Sequence, residues 1–194
     1  MVAYKLYLGI ISSVVASLAY IPYFRDIFKG RTKPHVFSWF IWGLLASITF
    51  SAQLIKGAGP GAWANGITGL ICFIIAFLSF SHGEKKIVLF DWLAFSGALL
   101  GLALWAFTDN PLWAVILAAF IDTLAYLPTF RKAYANPYEE TMVSFILTTA
   151  GIMISLLALQ SYNPVTWIYP VCLVCSNSIF ITMLFIRRRA IARP

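Results

Sequence analysis

Seven apolar runs, each about the length of a membrane-crossing helix, account for most of the chain. They cover residues 4–23, 36–55, 62–80, 87–107, 111–129, 142–160 and 164–186. Short polar or Gly/Pro-containing breaks such as GRTKPH, KGAGPG, SHGEKK and TDNP separate them. A helix satisfies its own backbone hydrogen bonds, as a segment in lipid must. The pattern therefore predicts an all-α membrane protein with seven transmembrane helices.

Composition excludes a water-soluble alternative. Hydrophobic residues make up 61% of the chain and charged residues only 11%, whereas soluble domains carry about 25% charged residues. The net charge of +7 does not indicate a nucleic-acid partner, because the basic residues lie in short loops between apolar runs. The expected surroundings are a lipid bilayer.

Lysine and arginine are concentrated in alternate connections. One set of connections contains twelve of them and the other contains two, Lys5 and Lys56. The twelve are Arg25, Lys29, Arg31, Lys33, Lys85, Lys86, Arg131, Lys132, Arg187, Arg188, Arg189 and Arg193. Basic loops stay in the cytoplasm, so the N-terminus is expected outside and the C-terminus inside. A multi-pass protein of the bacterial cytoplasmic (inner) membrane is the expected location.

An octapeptide occurs twice. Residues 18–25 read LAYIPYFR and residues 124–131 read LAYLPTFR, identical at six of eight positions and 106 residues apart. Ser38 and Ser144 keep the same offset. The repeat predicts a first three-helix bundle over 1–82, a linker helix over 83–110 and a second bundle over 111–194. An odd linker helix makes the two bundles parallel.

Two longer segments carry a family resemblance. IPYFRDIFKGRTKPHVFSWF and LPTFRKAYANPYEETMVSFI resemble the PQ-loop repeat, in which a proline, a basic loop and a serine opening the next helix follow one another. ANGITG at 64–69 resembles the Asn-Gly-x-x-Gly pattern in the third helix of SWEET transporters. The chain thus resembles the PQ-loop/SWEET-like superfamily, whose relatives include SWEET sugar transporters, PQ-loop amino-acid exporters and PnuC-type vitamin transporters.

The resemblance implies transport of a small polar solute, such as a sugar, an amino acid or a nucleoside, by alternating access between the two bundles. The chain departs from the pattern in places. Tyr23 and Thr129 follow the repeat prolines where the family has glutamine, and Val171 follows Pro170 where SWEETs have asparagine. Asn177 is the remaining candidate amide on the last helix.

Asp122 is the acidic residue expected deepest in a span. Counting from Pro111 at about 1.5 Å per residue places it roughly 16 Å into the hydrocarbon core, near the midplane. A carboxylate at that depth is costly and usually functional. It suits proton coupling or the binding of a cationic group, and a structural hydrogen bond to a neighbouring Ser or Thr is the alternative.

Pro22 and Pro128, with Tyr20 and Tyr126 two residues before them, are the candidate hinges of a gate. Proline removes a backbone hydrogen bond and weakens a helix locally. The same prolines could instead simply end two helices. Their repetition at matched positions favours gating.

Three further residue types complete the candidate site. Asn65 and Asn177 offer amides for substrate binding, although amides also hold helices together in lipid. Trp42 can stack on a ring, while Trp39 lies close enough to the membrane boundary to be an anchor. Ser38 and Ser144 either line the path or cap the second helix of each repeat.

A membrane receptor on the same scaffold, similar to KDEL receptors, is the alternative function. An enzyme is not expected, because no nucleophile–base constellation appears, and neither a metal nor another cofactor is expected. Retinal is excluded because residues 133–194 contain no lysine. Glycines such as Gly97 and Gly101 allow close helix contacts, so a homo-oligomer remains an alternative.

Overall fold

A computed structural model of the chain describes residues 3–107 and 111–191. These residues form helices and contain no strand. The α-helices are α1 (Ala3–Phe28), α2 (Val36–Ile55), α3 (Trp63–His82), α4 (Leu89–Ala106), α5 (Pro111–Ala135), α6 (Met142–Ala158) and α7 (Pro164–Ala190). Short 3-10 helices occupy Gly59–Ala62 and Pro137–Glu139. Arg193 and residues 108–110, which hold most of the expected break before the fifth helix, lie outside the described residues.

Two helices are longer than the apolar runs predict. α1 continues to Phe28 and α5 to Ala135, although the runs end near residues 23 and 129. Hydropathy falls at Arg25 and Lys132, but basic residues stabilise the last turn of a helix through its dipole. Pro22 and Pro128 therefore lie inside helices, and the reading in which they end them is wrong.

Apolar side chains cover the outside of the bundle, and polar side chains are buried within it. Phe77 is 75% exposed and Phe80 is 72% exposed, while Asp122, Asn177 and Gln53 are all at most 5% exposed. Four helices are long and apolar enough to cross a membrane by length and composition, namely α1, α2, α3 with its preceding 3-10 turn, and α7. The described parts of α4 and α6 supply shorter apolar helices. Such a distribution suits a chain that lies in lipid.

Helices related by the sequence offset make related contacts. α1 packs on α3 as α5 packs on α7, and α3 packs on α2 as α7 packs on α6. Between the two sets, α1 lies against α6 and α5 lies against α2. α4 packs mainly on α5. The bundle therefore has two seams, α1–α6 and α2–α5, and the space between them is where a cavity can form.

The basic connections meet at one end of the bundle, which we call the basic end and define as residues 29–35, 83–88, 136–141 and 187–190. Lys33 Nζ donates to Glu139 Oε1 at 2.5 Å, and the Glu84 N–H donates to the Pro34 carbonyl at 3.0 Å. At the opposite end, Lys5 Nζ donates to the Leu159 carbonyl at 2.6 Å. α1 and α5 both end at the basic end, so they run in the same direction.

Gly9 is the closest crossing at the end that contains Lys5. A Cβ added at Gly9 would lie 2.3 Å from Pro60 Cβ and 2.8 Å from the Pro60 carbonyl oxygen. We expect Gly9→Ala to lower the free energy of unfolding by about 1–3 kcal/mol, because overpacking displaces the backbone. Thermal melting of the purified protein in detergent measures this.

Gly97→Ala is the matched control, because Gly97 is also helical but its added Cβ meets only Leu124 Cδ1, at 3.4 Å. We expect this change to be neutral or to stabilise α4 by up to about 1 kcal/mol. Equal destabilisation by the two substitutions would contradict the assigned close contact.

Candidate functional site

A cavity of about 70 Å³ lies between the two seams. Six helices supply its wall, with only α4 contributing nothing among the described residues. The wall consists of Tyr20, Tyr23, Trp39, Trp42, Ala46, Asn65, Thr68, Cys72, Asp122, Tyr126, Ser144, Phe145, Thr148, Ile152, Tyr169, Leu173 and Asn177. Helices from both halves of the repeated sequence therefore line one cavity.

Seven of the ten candidate residues from the sequence lie on this wall. They are Tyr20, Trp42, Asn65, Asp122, Tyr126, Ser144 and Asn177. The other three, Pro22, Pro128 and Ser38, lie off it. The sequence candidates for substrate binding are thus brought together, while the candidate hinges sit next to the cavity along α1 and α5.

Asp122 is the charged group on the wall. It is 2% exposed, and its Oδ1 accepts a long hydrogen bond of 3.4 Å from the Tyr169 hydroxyl. None of the lining residues is Lys, Arg or His. A buried carboxylate without a cationic partner is costly. Binding of a proton or of a cationic group at Asp122 would remove that cost.

Aromatic rings form a continuous layer around the same space. The Trp39 and Trp42 ring centroids are 5.1 Å apart, and those of Trp42 and Tyr126 are 4.7 Å apart. Tyr23 and Tyr20 lie against Trp39 with centroids at 4.9 Å and 6.2 Å. Trp39 is therefore buried in the wall, and its expected role as a boundary anchor does not fit this position.

The amides and several polar side chains on the wall have unused hydrogen-bonding capacity. Asn65 Nδ2 donates to Thr49 Oγ1 at 2.7 Å, and the Tyr126 hydroxyl donates to Asn177 Oδ1. Each amide keeps its other end available. Trp42 Nε1 and Ser144 Oγ are buried and have no hydrogen-bond partner. Unpaired buried polar groups are rare in proteins, and here they adjoin the cavity.

Ser38 forms hydrogen bonds with α5 and does not line the cavity. Its hydroxyl donates to the Ala125 carbonyl at 2.5 Å, and Thr129 Oγ1 donates to Ser38 Oγ at 2.9 Å. The N-cap of α2 is His35, so Ser38 does not cap that helix. Ala125 lies three residues before Pro128, and Ser38 therefore ties α2 to the segment of α5 that the proline weakens.

A buried ion pair closes the basic end. The side chains of Lys132 and Glu140 are 1% and 0% exposed and contact each other through Nζ and Oε1. Lys132 Nζ also donates to the carbonyls of Lys33 at 2.6 Å and Glu139 at 3.1 Å. Burial raises the pKa of Glu140, and the Lys132 ammonium opposes that rise.

Tyr23 connects this ion pair to the cavity. Its ring is part of the wall, and its hydroxyl donates to Glu140 Oε2 at 3.2 Å. Trp39 Nε1 donates to the Tyr23 hydroxyl at 3.1 Å. An aromatic layer and a charged layer thus stand in series between the cavity and the basic end. That end cannot open without breaking the buried hydrogen bonds.

A second polar cluster fixes α4 to α5 at the same end. Arg131 binds Asp91 through Nε at 2.8 Å and Nη2 at 2.6 Å, and His35 Nε2 lies 3.4 Å from Asp91 Oδ2. Burial lowers the pKa of His35, although Asp91 opposes this. The arrangement is a structural clamp that does not reach the cavity.

A smaller void of about 30 Å³ extends the site toward the end that contains Lys5. It shares Asn65, Thr68 and Thr148 with the main cavity and adds Gln53 and Ser155. Gln53 Nε2 donates to the Thr166 carbonyl at 3.3 Å. Polar side chains therefore continue from the cavity in this direction, whereas aromatic rings and the ion pair block the other.

Sequence reasoning missed Tyr169, Tyr23, Glu140 and Lys132. Tyr23 had a signal, since it directly follows Pro22 and is one of the two positions at which the repeated octapeptides differ. Glu140 and Lys132 belong to the segment RKAYANPYEE, whose composition does not indicate that these two side chains pair in the interior. The sequence around Tyr169 does not indicate a functional role, because the role depends on a contact with Asp122 that joins α7 to α5.

No protein-family model, curated protein or solved structure matches the chain. Within residues 3–107 and 111–191, no group of three or more His, Cys, Asp and Glu side chains is arranged to hold a metal ion.

Proposed function

We propose that the protein is a membrane transporter of a small polar solute, built on a PQ-loop/SWEET-like arrangement of two parallel three-helix bundles and a linker helix. The observation that carries the proposal is the cavity between the α1–α6 and α2–α5 seams, which contains a buried carboxylate without a basic partner among its lining residues. Binding sites of secondary transporters lie at such a repeat interface near the bilayer midplane.

All seven helices span the membrane in this proposal. The exposed apolar side chains of α4, α5 and α6, such as Leu100, Phe120 and Met153, support it for the helices that are shorter or more polar. The basic end faces the cytoplasm, in keeping with the positive-inside rule. In this orientation the N-terminus is outside and the C-terminus inside, and the proposed location is a bacterial cytoplasmic membrane.

The structure then represents a state closed toward the cytoplasm. The Tyr23 hydroxyl and the Lys132–Glu140 pair seal that side, while the smaller void points outward. Opening inward requires the ends of α1 and α5 to move relative to α6 and α2. Pro22 and Pro128, each inside a helix near this seal, are the hinges in the proposal, and Tyr20 and Tyr126 move with them.

Cavity size supports a small solute over a peptide. A volume of about 70 Å³ accommodates on the order of five water molecules at about 10–15 Å³ each. A receptor for a peptide signal needs a longer groove that opens to solvent. The KDEL-receptor-like alternative therefore has no specific support from the geometry.

Reconstitution into liposomes tests the proposal. Uptake of radiolabelled sugars, amino acids, nucleosides and small amines is measured with and without an inward proton gradient, against protein-free liposomes. We expect saturable uptake of at least one class. Absence of uptake and of counterflow for the whole panel, combined with peptide-induced thermal stabilisation, would replace the transporter with the receptor.

A further inference from the structure

Much of the wall of the cavity is aromatic. Four rings, those of Tyr23, Trp39, Trp42 and Tyr126, form an unbroken series with centroid distances between 4.7 and 5.1 Å. Aromatic faces carry negative electrostatic potential and attract cations, with tryptophan the strongest. A solute that contacts the faces of these rings is therefore favoured if it is positively charged rather than neutral and of the same shape.

The charged group on the wall, Asp122, also favours a positively charged solute. Asp122 is buried, and its hydrogen bond from Tyr169 is long. The lining contains no basic side chain, and Lys132, near the basic end of α5, is already bound by Glu140 and two backbone carbonyls. A carboxylate or phosphate on the solute would face Asp122 without a cationic partner, which is unfavourable.

Two unpaired groups indicate one further feature of the solute. Trp42 Nε1 carries a hydrogen to donate, and Ser144 Oγ can donate or accept. Both border the cavity and are buried without a partner. A hydroxyl or ether oxygen on the solute next to either group would satisfy it, and this would remove the cost of leaving it unpaired.

We infer that the solute is a small organic cation, a quaternary or protonated amine that carries a hydroxyl or ether oxygen and lacks a carboxylate. Asp122 and the aromatic faces bind the positive charge, and Trp42 with Ser144 binds the oxygen. The inference rests on the proposed transport function, because it names the substrate class of the same cavity.

Three matched probes test the charge requirement by calorimetry on the full-length protein in detergent. Choline has the cation and the hydroxyl, dimethylbutanol is its neutral isostere with carbon in place of nitrogen, and glycine betaine has a carboxylate in place of choline's hydroxymethyl group. We expect choline to bind about tenfold or more tightly than either analogue, as expected for charge-assisted and cation–π contacts. Equal binding of choline and dimethylbutanol overturns the inference. So does the absence of saturable binding of choline, ethanolamine and tetramethylammonium up to about 10 mM.

Variants assign the effect to the cavity. We expect Asp122→Asn to reduce the preference for choline over dimethylbutanol at least several-fold, while Glu84→Gln, a carboxylate change in the connection between α3 and α4, leaves it intact. Trp42→Phe should weaken choline more than dimethylbutanol, and Trp113→Phe, at a 59% exposed position, should weaken neither. If Asp122→Asn does not fold, the comparison of Trp42→Phe with Trp113→Phe is the test. An unchanged preference for choline over dimethylbutanol in Trp42→Phe then overturns the inference.

Flux measurements in liposomes distinguish failure of this inference from failure of the transport proposal. Selective choline binding without uptake or counterflow in liposomes overturns transport and leaves the cation class standing. Uptake of neutral solutes that Asp122→Asn leaves unchanged overturns the cation class and leaves transport standing.

Discussion

Asp122→Asn is expected to abolish solute accumulation driven by a proton gradient, reducing it to the level of protein-free liposomes. The asparagine side chain has nearly the same shape, but it can neither take up a proton nor balance a positive charge. Intramembrane carboxylates carry protons in many pumps and transporters. At 2% exposure, Asp122 is shielded from solvent, so bulk water cannot replace it.

Comparing accumulation with counterflow identifies what the carboxylate does. Counterflow exchanges labelled for unlabelled solute without net movement of protons. Loss of accumulation with counterflow retained indicates proton coupling, whereas loss of both indicates that Asp122 binds the solute. Glu84→Gln is the control and should transport normally. Gradient-driven uptake that remains unchanged in Asp122→Asn would show that the coupling hypothesis is wrong.

Lys132→Met is expected to lower the free energy of unfolding by about 3–5 kcal/mol, because it leaves the buried Glu140 without its counterion. For a chain of this length that corresponds to a fall in the melting temperature of roughly 10 °C. Thermal melting in detergent measures the change. The double variant Lys132→Met/Glu140→Leu should recover at least half of the loss, because replacing both members of a buried pair by apolar residues is often neutral.

A surface pair at the same end of the bundle supplies the control. The Lys33–Glu139 contact has side chains that are 44% and 27% exposed, so Lys33→Met should cost less than about 1 kcal/mol. A similar loss in Lys33→Met and Lys132→Met, or a double variant less stable than Lys132→Met alone, would contradict the role assigned to the buried pair.

The pH dependence of Lys132→Met has a definite sign. Burial raises the pKa of Glu140, and the substitution removes the ammonium that opposes this. A carboxyl whose pKa is higher in the folded state holds its proton there while the unfolded chain has lost it. Stability should therefore fall as the pH rises from about 4, the unfolded value, through the folded value. Melting between about pH 4 and pH 8 measures the slope, and a stability that rises with pH would contradict the assignment.

Helix positions could be predicted from the sequence where hydropathy determines them. The apolar run 36–55 coincides with α2 (Val36–Ile55), and the run 142–160 nearly coincides with α6. The ends of α1 and α5 were not predictable in this way, because Arg25 and Lys132 lower the hydropathy without interrupting a helix. α1 and α5 extend beyond their apolar runs because a basic residue in the last turn interacts favourably with the helix dipole.

The candidate site was partly predictable for a similar reason. Asp122 and Asn65 could be named because a polar group within an apolar run is unusual. Trp39 was misjudged, since proximity to a loop does not say which face of α2 it occupies or what packs there. The contacts of Tyr169 with Asp122 and of Tyr23 with Glu140 join residues 47 and 117 positions apart, and a local pattern carries no information about them.

The sequence alone determined that this chain forms apolar helices, that two segments repeat and that one end is basic, because each follows from nearest neighbours and composition. Only the tertiary structure decided that six helices enclose a cavity, that Asp122 has no basic partner among the residues lining it and that the Lys132–Glu140 pair closes one side. Those features depend on which helix faces meet. Side chains distant in the chain share a low-dielectric interior only after the helices have packed.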